Sequence, residues 1–180
     1  MKAILVAFLF FGLATHASAQ TRVGVHYSAL VNEYPNEAPS GVGTFLTVQH
    51  GPLGIDAATT FFFPAGLGDV LWQVLAGPRA GVVAGRLGAY GRTRVGFGRF
   101  SQRFFKPGVV CIAIFPTPES CLADQINLHL DLGGTLELAL SPSKMLRVDA
   151  GDTLTRWSGA SPDMRWTHGL QVTAGLGWKF

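Results

Sequence analysis

Apolar and polar residues alternate one by one along most of this chain. The clearest stretch is Ile126 to Ser141, INLHLDLGGTLELALS. One column holds Ile126, Leu128, Leu130, Leu132, Gly134, Leu136, Leu138 and Leu140. The other holds Asn127, His129, Asp131, Gly133, Thr135, Glu137, Ala139 and Ser141. Successive side chains of a strand point to opposite faces, so the segment predicts a strand with one leucine face and one polar face. A helix would scatter the leucines around its axis. The closing segment sets Leu170, Val172, Ala174, Leu176, Trp178 and Phe180 against Gln171, Thr173, Gly175, Gly177 and Lys179. Near the start, Val23, Val25, Tyr27, Ala29 and Val31 face away from Arg22, Gly24, His26 and Ser28. Ala89 to Phe100 and Lys144 to Gly151 alternate in the same way.

The interruptions predict how the strands are joined. Long polar or proline-bearing connections fall at Asn32–Ser40, Pro64–Asp69, Ser101–Asp124 and Ser158–Arg165. Tight turns fall at His50–Pro52, Ala84–Arg86 and Ser141–Ser143. The spacing therefore predicts eight strands, with short turns at one end and longer loops at the other. That asymmetry marks membrane barrels of the outer-membrane type. After Gln20 no run stays apolar for the roughly 18 residues that a membrane helix needs.

Alternation alone does not say which face points inward. A soluble lipocalin-like barrel buries its apolar column. Here the polar columns carry charges of both signs: Arg22, Asp56, Arg79, Arg92, Arg94, Asp131, Glu137, Arg147 and Asp149. They suit mutual pairing across a narrow interior, with the apolar columns against lipid. In hydrocarbon every backbone group needs an internal partner, which a closed barrel supplies. The fold class expected is all-β: an eight-stranded antiparallel up-and-down transmembrane barrel. Composition agrees, because 14% charged residues and 23 glycines among 180 residues are unusual for a water-solvated surface.

The first residues, MKAILVAFLFFGLATHASAQ, read as an export signal: Lys2, a short apolar run, then Ala17-Ser18-Ala19 before a cut at Gln20. Residues 1–19 are thus expected to be a cleaved signal peptide and residues 20–180 the barrel domain. The formal charge of +3, less the one on Lys2, leaves +2, too mild to argue for nucleic acid. Cys111 and Cys121 share the longest connection. In an oxidising compartment they are expected to form a disulfide.

The terminal segment GLQVTAGLGWKF resembles the closing strand, ending in Phe, that outer-membrane barrels present to their insertion machinery. The whole region from Gln20 to Phe180 resembles the small OmpA/OmpX-like, porin-like barrel class. The resemblance implies an outer-membrane location and an insertion signal at Leu176, Trp178 and Phe180. It further implies outer-membrane lipids and the barrel-insertion machinery as partners, with loops available to an extracellular ligand. A monomer without cofactors is expected.

No reaction is spelled out. His26 and Ser28 share a strand face, and lipid A deacylases of barrel type use a His, a Ser and an acid, but on the lipid-facing surface. His129, Asp131 and Glu137 share a polar column, yet one straight strand spreads Asp131 and Glu137 about 20 Å apart, too far for one metal ion. The glycines of Gly91–Gly98 match no phosphate-loop spacing. Trp72, Trp157, Trp166, Trp178, Tyr90 and Phe180, with Phe61–Phe63, are expected to form aromatic girdles at the membrane boundaries. An eight-stranded barrel is just wide enough inside for side chains, which argues against a general pore. The leading expectation is a structural and surface-interaction protein with a charge-filled interior. A lipid-modifying acyl hydrolase and a narrow solute channel are the alternatives.

Overall fold

The computed structural model describes residues 19–32, 38–63, 71–99, 126–157 and 166–180. The strands are β1 (Gln20–Asn32), β2 (Ser40–His50), β3 (Leu53–Phe63), β4 (Leu71–Ala84), β5 (Leu87–Arg99), β6 (Ile126–Ala139), β7 (Lys144–Arg156), β8 (Trp166–Thr167) and β9 (Gly169–Lys179). Only His168 separates β8 from β9. Both pair antiparallel with β7, so together they form the eighth stave. Each strand from β1 to β7 pairs antiparallel with the next. Pairing of β9 with β1 then closes the barrel, so no edge strand is left. The eight staves are those that the alternation and turn spacing predict. Among the described residues no helix is long and apolar enough to cross a membrane.

Two-residue links join β2 to β3 and β4 to β5, and four residues join β6 to β7. Gly51 and Gly85 sit in the two shortest links with φ of 57° and 60°. A Cβ is strained in that region, so both turns call for glycine. Both ends of the barrel domain lie at this short-turn end. The other connections, including the stretch with Cys111 and Cys121, leave from the opposite end. The expected signal peptide up to Ser18 and both cysteines lie outside the described residues.

The two columns of each strand part cleanly. Val25, Tyr27, Val42, Ile55, Val95, Phe97, Leu136 and Leu170 are exposed on the outer face. Their inward neighbours are buried and mostly polar. The lumen also holds apolar bulk that alternation with polar residues does not announce: Phe45, Ala58 and Met145 cluster inside. Phe45 fits because Gly24 and Gly177 lie opposite it. A Cβ on Gly24 would meet the ring at 2.4 Å and the Leu176 carbonyl at 2.3 Å. Gly24→Ala is therefore expected to destabilise the barrel by about 1–3 kcal/mol through overpacking. A urea-unfolding midpoint unchanged from wild type would show that the ring can move aside.

The girdle expectation needs correcting in three places. Trp157 is 1% exposed, and its indole Nε1 donates to Thr167 Oγ1 at 2.8 Å. Tyr90 is buried in the lumen under Arg79, whose guanidinium carbon lies 3.7 Å from the ring centroid. Phe62 is fully buried, while Phe61 and Phe63 face out. Strand parity decides each case: inward positions stay inward at strand ends, whatever the side chain. Trp166, Trp178 and Phe180 are exposed on the outer face.

Candidate functional site

The chemistry of the described residues is concentrated inside the barrel. Five arginines (Arg22, Arg79, Arg92, Arg94, Arg147) and four carboxylates (Asp56, Asp131, Glu137, Asp149) are buried there, each at most 5% exposed. Each sits at an inward position of its strand, and the narrow lumen brings non-adjacent strands within ion-pair reach.

Arg147 makes the longest crossing of the ion pairs among the described residues. From β7 its Nη1 and Nη2 donate to Asp56 on β3, at 2.7 and 2.9 Å. In the closed order of staves β3 stands opposite β7. The same guanidinium donates through Nε to Asp149 Oδ2 at 2.9 Å and lies over the Phe45 ring at 4.5 Å. Asp56 also accepts from Thr47 at 2.6 Å and from Arg94 at 3.3 Å. Arg94 and Arg92 converge on Asp131 Oδ2 at 2.9 and 3.0 Å, and Arg92 reaches Asp149 at 2.6 Å. Nearer the turn end, Glu137 accepts from both Arg22 and Arg79, the latter at 2.7 Å. Arg79 Nε donates to Gln49 at 2.9 Å. Bonds of this set touch every stave from β1 to β7.

Above the charges, toward the long-connection end, the lining becomes polar but uncharged. His26 bonds Thr60 at 3.0 Å, Ser28 bonds Thr173 at 3.1 Å, and Gln73 bonds His129 at 3.1 Å. Gln171 donates to Ser28 at 3.0 Å and accepts from Thr153 at 3.1 Å. His26 and Ser28 thus share a face but turn to different partners. Among the described residues no group of three or more His, Cys, Asp or Glu could hold a metal ion. His129 lies among neutral groups rather than beside Glu137. The neutral tier went unread in the sequence. Its signal was there, as Thr, Ser, Gln and Asn at inward parity in the outer half of β1, β3, β4, β6, β7 and β9.

The void between the two tiers measures about 10 Å³, lined by His26, Thr60, Arg94, Arg147 and Gln171 among others. That is room for about one water molecule. A concavity of about 700 Å³ lies instead on the outer face near Tyr27, Val42 and Phe61. It is an open trough between protruding apolar side chains with no charged group in its lining, so the interior remains the candidate site.

Neither a protein-family model nor a curated protein matches the sequence. Solved structures do match the architecture. Neisserial surface protein A superposes with a TM-score of 0.58 at 11% identity, over 92% of this chain and 100% of that one. Ail, the attachment invasion locus protein of Yersinia pestis, crystallised with the heparin analogue sucrose octasulfate, gives 0.56 at 12% identity, over 91% and 99%. The N-terminal β-barrel domain of Pseudomonas aeruginosa OprF gives 0.51 at 10% identity, over 91% and 100%. This chain has the fold of the small outer-membrane barrels. At such identities the likeness carries the fold and no residue roles. The exposed apolar columns form the outer wall of this barrel and the charged set fills its lumen.

Proposed function

We propose that this protein is a structural and surface-interaction barrel of the bacterial outer membrane: a closed, charge-plugged cylinder that holds its long connections at the cell surface. The observation that carries the reading is the Arg147–Asp56 crossing, which ties opposite walls together with the other charges packed around it. A lumen filled in this way leaves no continuous path for solutes. Export is proposed to end with a cut before Gln20, the first residue of β1. Leu176, Trp178 and Phe180, all exposed on the outer face, are proposed as the signal read by the insertion machinery. The Cys111–Cys121 bridge is proposed to close a loop outside the membrane. Ail holds a sulfated sugar analogue in its crystal. That supports the idea that a small barrel of this shape meets extracellular ligands, and the long connections are where such a ligand would be met.

Planar-bilayer recordings on the purified chain test the reading. The expected result is no large, steady conductance. Steady open channels, selective for anions because of the arginine excess, would favour the narrow-channel alternative. The acyl-hydrolase alternative finds no support in the partners of His26 and Ser28.

A further inference from the structure

The outer face of the strands carries few charges: besides Arg99 at the end of β5 and Lys144 at the turn end, they lie on β7 and the stave facing it. Among the described residues Asp152 is the one carboxylate with its side chain on the outside. It lies 2.8 Å from the imidazole of His168, and the two side chains are 46% and 59% exposed. Two outward steps further along β7, past Leu154, comes Arg156. Its guanidinium carbon lies 6.0 Å from the ring centroid of Trp166, at the edge of cation–π reach. Register brings these four together: Arg156 stands opposite Trp166, and Asp152 opposite Leu170. His168 falls between those two pairs on the facing stave, so it neighbours both Asp152 and Arg156 diagonally.

Height decides what this cluster meets. Arg156 is the last residue of β7, whose first is Lys144 at the short-turn end. At about 3.3 Å per residue and a tilt near 40°, Arg156 stands about 30 Å above that end, and the apolar band of such barrels is about 25 Å tall. Arg156 and Trp166 therefore sit at the far boundary of the hydrocarbon, with exposed Leu170 and Val172 below them. Asp152 lies four residues, about 10 Å, deeper, and its pairing with His168 offsets a charge that hydrocarbon would penalise. Arg156, which among the described residues meets a ring face rather than a carboxylate, presents planar N–H donors suited to a phosphate.

From this geometry we infer that Arg156, His168 and Trp166 form a binding site for the phosphate-bearing headgroup of a membrane lipid, with Asp152 orienting the His168 ring. The ligand chemistry is an anionic phosphate monoester on an acylated lipid. The acyl chains lie along Leu170 and Val172, and the phosphate meets Arg156 and His168. The inference rests on the membrane placement proposed above.

The test is native mass spectrometry of the detergent-solubilised full chain, titrated with phosphatidic acid and separately with phosphatidylcholine. Heat-modifiable gel migration of each sample reports folding. Wild type is expected to bind phosphatidic acid in preference to phosphatidylcholine. Arg156→Gln is expected to weaken phosphatidic acid binding about five-fold, the usual effect of one basic side chain near an anionic lipid surface. His168→Gln should weaken it in the same direction, and Lys144→Gln, at the opposite end, should leave it unchanged. Equal binding of the two lipids, or no loss in a folded Arg156→Gln protein, would overturn the inference and leave the membrane reading intact. Displacement by free inorganic phosphate at equal concentration would also overturn it, since the site would then not read a lipid. A chain that never shows heat-modifiable migration in detergent or vesicles would overturn the membrane reading itself, and this site with it.

Discussion

Asp56→Asn is expected to lower the stability of the folded barrel by about 3 kcal/mol, the low end of the range for breaking a buried ion pair. Asp56 accepts two bonds from Arg147, one from Arg94 and one from Thr47, and it is fully buried. Asparagine keeps the shape but removes the charge, so Arg147 and Arg94 lose a hydrogen-bonded counter-ion, and Arg79 one at 3.8 Å, that water cannot replace. The value falls at the low end because Arg147 keeps Asp149 and Arg94 keeps Asp131. Taking out both partners should cost less than taking out one, since no unpaired charge is then left buried. Asp56→Asn with Arg147→Met is thus expected to recover part of the loss. Urea titration in lipid vesicles, reading the folded fraction by gel migration before boiling, checks both variants. A single-variant loss below about 1 kcal/mol, the usual ceiling for a solvent-exposed ion pair, would mean that water reaches the pair.

Val25→Arg tests the other face. Val25 is 52% exposed at mid-height of β1, beside Leu176 on β9 and Thr44 on β2. If that face meets acyl chains, an arginine there should cost about 2–4 kcal/mol, as it does near the midplane of other membrane barrels. If water covered it, a surface substitution would stay within about 0.5 kcal/mol of wild type. The same titration reads the difference, and Val25→Thr, which adds no charge, serves as comparison. The outer and inner predictions are independent, because Val25 points away from the Arg147–Asp56 pair.

The fold was legible because the strand period is two and the chain keeps to it. The leucines of Ile126–Ser141 and the glycine-bearing turns at Gly51 and Gly85 are enough to draw the staves and their order. Parity also gave each charged residue a face. It could not give partners, because those depend on how staves four apart meet across the lumen. Nothing near Asp56 in the sequence points to Arg147. Aromatic residues misled in the other direction. Trp157 and Tyr90 look like boundary residues by type and position, yet parity turns both inward, where Thr167 and Arg79 receive them. Phe45 was silent because its meaning lies in the two glycines facing it from β1 and β9. The outer cluster of Asp152, His168 and Arg156 was equally silent: three polar residues spaced over two strands look unremarkable until register sets them side by side.

Which column touches lipid can be measured site by site. Spin labels placed singly along β6, from Ile126 to Ala139, with Cys111 and Cys121 replaced by serine, report collisions with oxygen, which concentrates in acyl chains, and with a water-soluble nickel chelate. Oxygen collisions are expected to rise at Leu128, Leu130, Leu132 and Leu136 and to fall at Asn127, Gly133 and Thr135, with a period of two. The opposite phase, or high nickel collisions at the leucines, would contradict a barrel that turns its leucines to the membrane and its charges to the lumen.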